Sequence, residues 1–117
     1  MNRTLKVKKT KLIGNVKVSG AKNSALRLLA ATILTDEKVI INNFPNGLLD
    51  IQVHLEMLRI LGKTYKSNQD HITISEELSG ITTLNWTERS IRNTLLILGC
   101  LVSRYGEGRV PLPGGCK

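Results

Sequence analysis

The sequence predicts an α/β fold, and three observations carry that expectation. Apolar residues recur at helical spacing over Ala25–Leu34, Asp50–Leu61 and Thr87–Arg104. Between these stretches lie short apolar or alternating runs bounded by Gly, Pro, Asn and Asp. The resulting order is β-β-α-β-α-β-β followed by β-α-β, and such alternation of helix and strand marks layered α/β and α+β folds. The second block begins as a repeat of the first and stops after one helix.

Leu5-Lys6-Val7 and Val16-Lys17-Val18 alternate as strands do, with Gly14-Asn15 between them as a turn. Ser19-Gly20-Ala21-Lys22-Asn23-Ser24 breaks the pattern. The first helix follows, with Leu26, Leu29, Ala30 and Ile33 on one stripe and Asn23 or Ser24 as its N-cap. Lys38–Ile41 is a short strand, and Phe44-Pro45-Asn46-Gly47 a second break. The second helix turns Ile51, Leu55, Leu58 and Leu61 inward and stops at Gly62. Asp50 fits its N-cap, His54 a helix surface and His71 a strand edge, none with a visible catalytic partner. Thr64–Lys66 and His71–Ser75 form a strand pair around Asn68-Gln69-Asp70, and Ile81–Leu84 is a further strand. The third helix faces Ile91, Leu95, Leu98 and Val102 to the core, Gly106 and Gly108 close it, and Arg109–Leu112 is extended.

Composition bounds the class. Across 117 residues, 41% are apolar and 22% charged, which excludes a disordered tail, a collagen-like repeat and a disulfide scaffold. One domain is the expectation at this length. Aromatics are only 3%, so the core must be aliphatic. No run approaches the roughly 20 apolar residues of a membrane span. Lys6, Lys8, Lys9 and Lys11 stand where a signal peptide would place its apolar segment, so a cytoplasmic protein is expected.

The formal charge of +8 is unevenly spread: residues 1–22 hold seven cations and no acid. Such a block is either a solvated edge strand protected by lysines or an attractor of anionic ligands. Nucleic-acid binding finds little support, because no aromatics interleave with the lysines and no nucleic-acid motif is present.

Three segments could carry chemistry. In Ser19-Gly20-Ala21-Lys22-Asn23, a glycine turn leads into a helix whose free N–H groups favour an anion; taken alone, these residues read more simply as a plain turn with a solvated lysine. In Arg89-Ser90-Ile91-Arg92, two arginines share a face near a helix start, where cations oppose the dipole. Either an anion or Glu88 compensates them. In Pro111-Leu112-Pro113-Gly114-Gly115-Cys116, a loop stiffened by prolines and freed by glycines presents a thiol, which near neutral pH can give up a proton, unless this cysteine is incidental. Cys100, within Leu98-Gly99-Cys100-Leu101, reads as a small buried hydrophobe. No metal-ligand spacing occurs.

Taken together, Val18-Ser19-Gly20-Ala21-Lys22-Asn23-Ser24-Ala25-Leu26, Ile91-Arg92 and Leu112-Pro113-Gly114-Gly115-Cys116 resemble the enolpyruvyl transferases. The likeness is to the N-terminal part of the UDP-N-acetylglucosamine 1-carboxyvinyltransferases among them, and it runs through the whole chain. It implies βαβαββ repeat units of an inside-out α/β barrel, here incomplete. Residues 1–21 would be a basic β segment packing with the C-terminal domain, and residues 22–117 a partial enolpyruvyl transferase domain. It further implies that Lys22 and Asn23 hold phosphoenolpyruvate, that Arg92 helps bind the charged substrates, and that Cys116 is the general acid. The substrates implied are phosphoenolpyruvate and UDP-N-acetylglucosamine, with neither metal nor organic cofactor, in the first committed step of peptidoglycan synthesis. Arg27 replaces a usual proline and Asn93-Thr94 a common Ala-Ser. Family members are several times longer, and their second domain completes the site. Two other readings are a 3-phosphoshikimate relative, which the loop cysteine argues against, and an inactive remnant or small basic anion-binding module.

Overall fold

The computed structural model describes residues 3–88 and 93–112. Its first helix, α1 (Lys22–Ala31), runs into a 3-10 turn over Thr32–Leu34. Leu26, Leu29, Ala30 and Ile33 are buried as their spacing requires, while Leu28 on the opposite side is half exposed. The helix starts earlier than expected. Ala21 occupies the N-cap position in extended conformation without a side-chain cap, so Asn23 and Ser24 lie inside the first turn. The cause is the preceding glycine: a Cβ on Gly20 would run into the Asn43 carbonyl and crowd Pro45. That close backbone approach sets where the chain enters the helix.

Strand β1 (Val39–Ile41), helix α2 (Leu49–Ile60) and the hairpin β2 (Lys63–Asn68) and β3 (His71–Glu76) complete the first unit. The sheet is antiparallel in the order β1-β3-β2, with Ile41 opposite Ile72 and Asn68 opposite His71. Ile72 and Ile74 alternate into the core while Thr73 and Ser75 lie towards the polar face. Gln69-Asp70 closes the hairpin in two residues, Gln69 taking φ 51°. Gly62 stops α2 as expected, at φ 98°, where a side chain would strike the Leu78 carbonyl. Ile51, Leu55, Leu58 and Leu61 are all buried.

Two polar expectations in this unit are corrected. Leu48, not Asp50, is the N-cap of α2, and Asp50 sits in the first turn. His71, half buried, is the first residue of β3 and pairs with Asn68 of β2, beyond the register with β1. His54 is fully buried. It shares the stripe of Ile51, Leu55 and Leu58 at helical spacing, and α2 packs on both α1 and β2, so the stripe is covered at His54 too.

The third helix, α3 (Thr94–Tyr105), is shorter than expected: residues 87 and 88 are not helical, and Ile91 lies outside the described residues. Gly106, at φ 82°, ends it. Its rotation also differs. Thr94, Ile97 and Leu101 are buried, whereas Leu95 is 58% exposed, Val102 is half exposed and Leu98 only partly covered. A helix apolar nearly all round offers no unique stripe, and Arg104 decides the matter. It lies on the face of Thr94, Ile97 and Leu101, and its guanidinium grips the Glu76 carboxylate at 2.6 and 2.9 Å and the Ile33 carbonyl at 3.0 Å. Glu76 also pairs with the buried Lys63, whose ammonium donates to the Thr35 carbonyl. Of the strand expected at Ile81–Leu84 and the extended Arg109–Leu112, one parallel bridge forms, Thr83 to Arg109.

Residues 3–20 contain no strand. Leu5, Val7, Val16 and Val18, expected in two strands, are 77–89% exposed, because alternation alone does not hold a strand that has no edge to pair with.

Burial without a hydrogen-bond partner for either ring nitrogen pushes the His54 imidazole from 6.5 down to about 4. The unfolded chain therefore binds a proton that the folded chain refuses between these values. Stability is complete above pH 6.5 and falls as pH drops towards 4, by about 3 kcal/mol from this group. Urea unfolding of the His54→Leu variant should show a higher midpoint than the parent at pH 5 and a smaller fall between pH 8 and pH 5.

Candidate functional site

The starts of α1 and α2 lie side by side. The connection between β1 and α2 positions them: Phe44 and Pro45 are buried, the Phe44 amide donates to the Asp70 carbonyl at 2.6 Å, and Asn46 Nδ2 donates to the Gln69 carbonyl at 2.7 Å. Gly20 rests on the same connection, so the hairpin tip, the loop and the approach to α1 form one frame. A concavity of about 230 Å³ opens there, lined by Gly20, Ser24, Asn42, Asn43 and Pro45 among others. A second, of about 330 Å³, lies between Lys17–Gly20 and the hairpin tip, where Lys17 meets Asp70 at 3.4 Å.

Lys22 is the first residue of α1 and Asn23 the second, both exposed to solvent. The Lys22 ammonium donates to Asp50 Oδ2 at 3.1 Å, across the gap between the helices. The Lys22 side chain keeps 47% of its surface open and the Asp50 side chain 24%. A cation at a helix N-terminus faces partial positive charge, whereas Asp50 in the first turn of α2 is favoured by it. Sequence reading took Asp50 as a cap and missed this pairing; a lysine at a helix start with no acid in its own first turn was the available signal.

Of the expected site residues, the structure brings Lys22 and Asn23 to one helix start. Arg92 and Cys116 lie outside the described residues, as do Arg89 and the Pro-Gly-Gly segment. Cys100, expected as a buried hydrophobe, is half buried against the core, and burial pushes its thiol up, away from the reactive thiolate. A groove of about 480 Å³ between α1 and β1 is lined by Leu28, Ala31, Val39, Ile40 and neighbours, with no titratable group. Among the described residues, no cluster of His, Cys, Asp and Glu could hold a metal ion, and no helix is long and apolar enough to cross a membrane.

Removing the space that Gly20 leaves should displace this site. Gly20→Ala forces the backbone off Asn43 and should cost about 1–3 kcal/mol in thermal unfolding. Amide NMR signals of Lys22 and Asn23 should move with it, while those of β2 stay in place.

Residues 7–117 match the family profile of EPSP synthase (3-phosphoshikimate 1-carboxyvinyltransferase). A UDP-N-acetylglucosamine 1-carboxyvinyltransferase of Prochlorococcus marinus (strain NATL1A) is 45% identical over 107 residues, covering 91% of this chain and 23% of that protein. The enzyme of the same name from Cellvibrio japonicus is 41% identical over 107 residues, 90% of this chain and 25% of its own. UDP-N-acetylglucosamine 1-carboxyvinyltransferase 1 of Carboxydothermus hydrogenoformans is 43% identical over 106 residues, 91% and 25% of the respective chains. The chain thus spans about a quarter of the length of the curated relatives it matches.

Proposed function

This chain belongs to the EPSP synthase family of enolpyruvyl transferases, and we propose that it serves the transfer of the enolpyruvyl group from phosphoenolpyruvate to the 3′-hydroxyl of UDP-N-acetylglucosamine. The reaction would be the first committed step of peptidoglycan synthesis, in the cytoplasm. The observation that carries the reading is Lys22, half exposed at the first position of α1 beside the start of α2, on a chain 45% identical to an enzyme so named. The family profile carries the name of the shikimate enzyme, but the relatives at 40–45% identity bear the UDP-N-acetylglucosamine name, which favours that acceptor.

In this reading the Lys22 ammonium, the Asn23 amide and the free N–H groups of α1 hold the phosphoryl group. Arg92 adds charge for the substrates. The Cys116 thiol gives its proton to the methylene carbon of phosphoenolpyruvate, and the 3′-hydroxyl oxygen bonds to the adjacent carbon, losing its own proton. Phosphate then leaves with the C–O bond electrons, and loss of a methyl proton restores the double bond. The chain forms part of a βαβαββ repeat barrel, residues 1–21 pack with the C-terminal domain, and residues 22–117 supply one wall of a site that a second domain closes. Closure excludes water from the reacting centre, so this segment alone should release no phosphate from the two substrates.

Ligand protection tests the assignment. Phosphoenolpyruvate should slow alkylation of Cys116 by iodoacetamide at pH 8 and leave Cys100 unaffected, and Lys22→Met should abolish the protection. Equal rates with and without phosphoenolpyruvate would refute the proposed roles of Lys22 and Cys116.

A further inference from the structure

We propose that Asp50 is a positioning residue for Lys22, holding its ammonium over the start of α1 so that a phosphoryl anion meets a cation already in place. The inference rests on the function proposed above and adds a residue to it. Its basis is the asymmetry of the pair. The Asp50 side chain is three-quarters buried on the first turn of α2, and the Lys22 side chain is half open to solvent 3.1 Å away. The carboxylate is the fixed partner and the lysine the adjustable one. An ammonium has three donors, and the bond to Asp50 engages one of them. Left alone, a long side chain at a helix N-terminus would turn away from the dipole into water. Asp50 opposes that drift and keeps the cation beside Asn23 and the free amides of α1.

Two effects of Asp50 on an incoming anion have opposite signs. Its negative charge repels the anion, and its hold on Lys22 prepares the cation. Replacing Asp50 by Asn separates them: if repulsion dominates, the anion binds more tightly, and if positioning dominates, it binds more weakly.

The measurement is phosphoenolpyruvate affinity of the 117-residue chain by titration calorimetry, in the parent, Asp50→Asn, Lys22→Met and the double variant. Positioning predicts that Asp50→Asn weakens binding about two- to fivefold, the range of an exposed ion pair. It also predicts that Lys22→Met weakens binding at least as much, that the double variant is no weaker than Lys22→Met alone, and that Asp50→Glu restores part of the loss. Unchanged or tighter binding in Asp50→Asn, or additive losses, overturns the inference. No effect of Lys22→Met, or no binding by the parent, overturns the functional reading instead. ¹⁵N relaxation of the Lys22 ammonium then decides the positioning by itself. An ammonium more ordered than that of Lys6 in the parent and released in Asp50→Asn supports it, and equal mobility in both overturns it.

Discussion

The Glu76 carboxylate holds the two parts of this chain in register. From the last residue of β3 it binds Arg104 of α3 through both oxygens and Lys63 at the start of β2. The two cations in turn satisfy carbonyls of Ile33 and Thr35, at the end of the first helical segment. Three elements and one turn therefore converge on a single buried anion. Hydrogen bonds from Arg104 foremost, and from Lys63, hold the Glu76 carboxyl down at about 2, against the opposing effect of burial. Its contribution is therefore complete above the ordinary carboxylate range and is lost only as pH falls towards 2. Such a cluster adds less net stability than its Coulomb energy suggests, because desolvation opposes it, but removing one partner strands the others at a cost of about 3–5 kcal/mol. Its structural effect is orientation. A guanidinium gripping one carboxylate at two points leaves α3 little freedom to rotate.

The frame set by that cluster reaches the candidate site through the helices. With α3 packed on α1 and the 3-10 turn, and α1 packed on α2, the starts of α1 and α2 come to the same end of the unit. Two backbone approaches complete the arrangement, Gly20 on Asn43 and Gly62 on Leu78, each with no room for a side chain. Core packing of α1 thus decides where Lys22 stands.

The sequence made the buried stripes of α1 and α2 legible, because each helix has one apolar face and a glycine or polar break at its ends. The hairpin was equally legible from the runs flanking Asn68-Gln69-Asp70, although Asn68 proves to belong to β2. The rotation of α3 was not, since leucines at 95, 96 and 98 compete with Ile97 and Leu101 for the interior, and the deciding contact joins residues 76 and 104. His54 was misplaced for a related reason: residue type argued for the surface and spacing for the core, and spacing prevailed. The site divides in the same way. Lys22 and Asn23 were marked by a local motif, whereas Asp50 joined them through a contact 28 residues distant, which no local pattern encodes. The strands expected at Leu5–Val7 and Val16–Val18 show the limit of periodicity, which identifies a face suited to pairing without supplying the edge that would pair with it.

The weakness of the Lys22–Asp50 pair fits a binding role better than a structural one. A half-exposed ion pair contributes about 0–1 kcal/mol, too little to fix one helix against another. The packing of α1 on α2 already does that, and Leu26, Leu29, Ile51 and Leu55 of the two helices are buried in the core, at about 1.5–3 kcal/mol for each buried side chain. A phosphoryl group carrying up to two negative charges can therefore share the ammonium without loosening the core. The buried Lys63 presents the contrast: enclosed by Glu76 and the Thr35 carbonyl and almost without exposed surface, it is committed to the fold. Among the described residues, these two lysine–carboxylate contacts are nearly equal in length, 3.1 and 3.2 Å. Burial alone separates their roles, because water competes for Lys22 and does not reach Lys63.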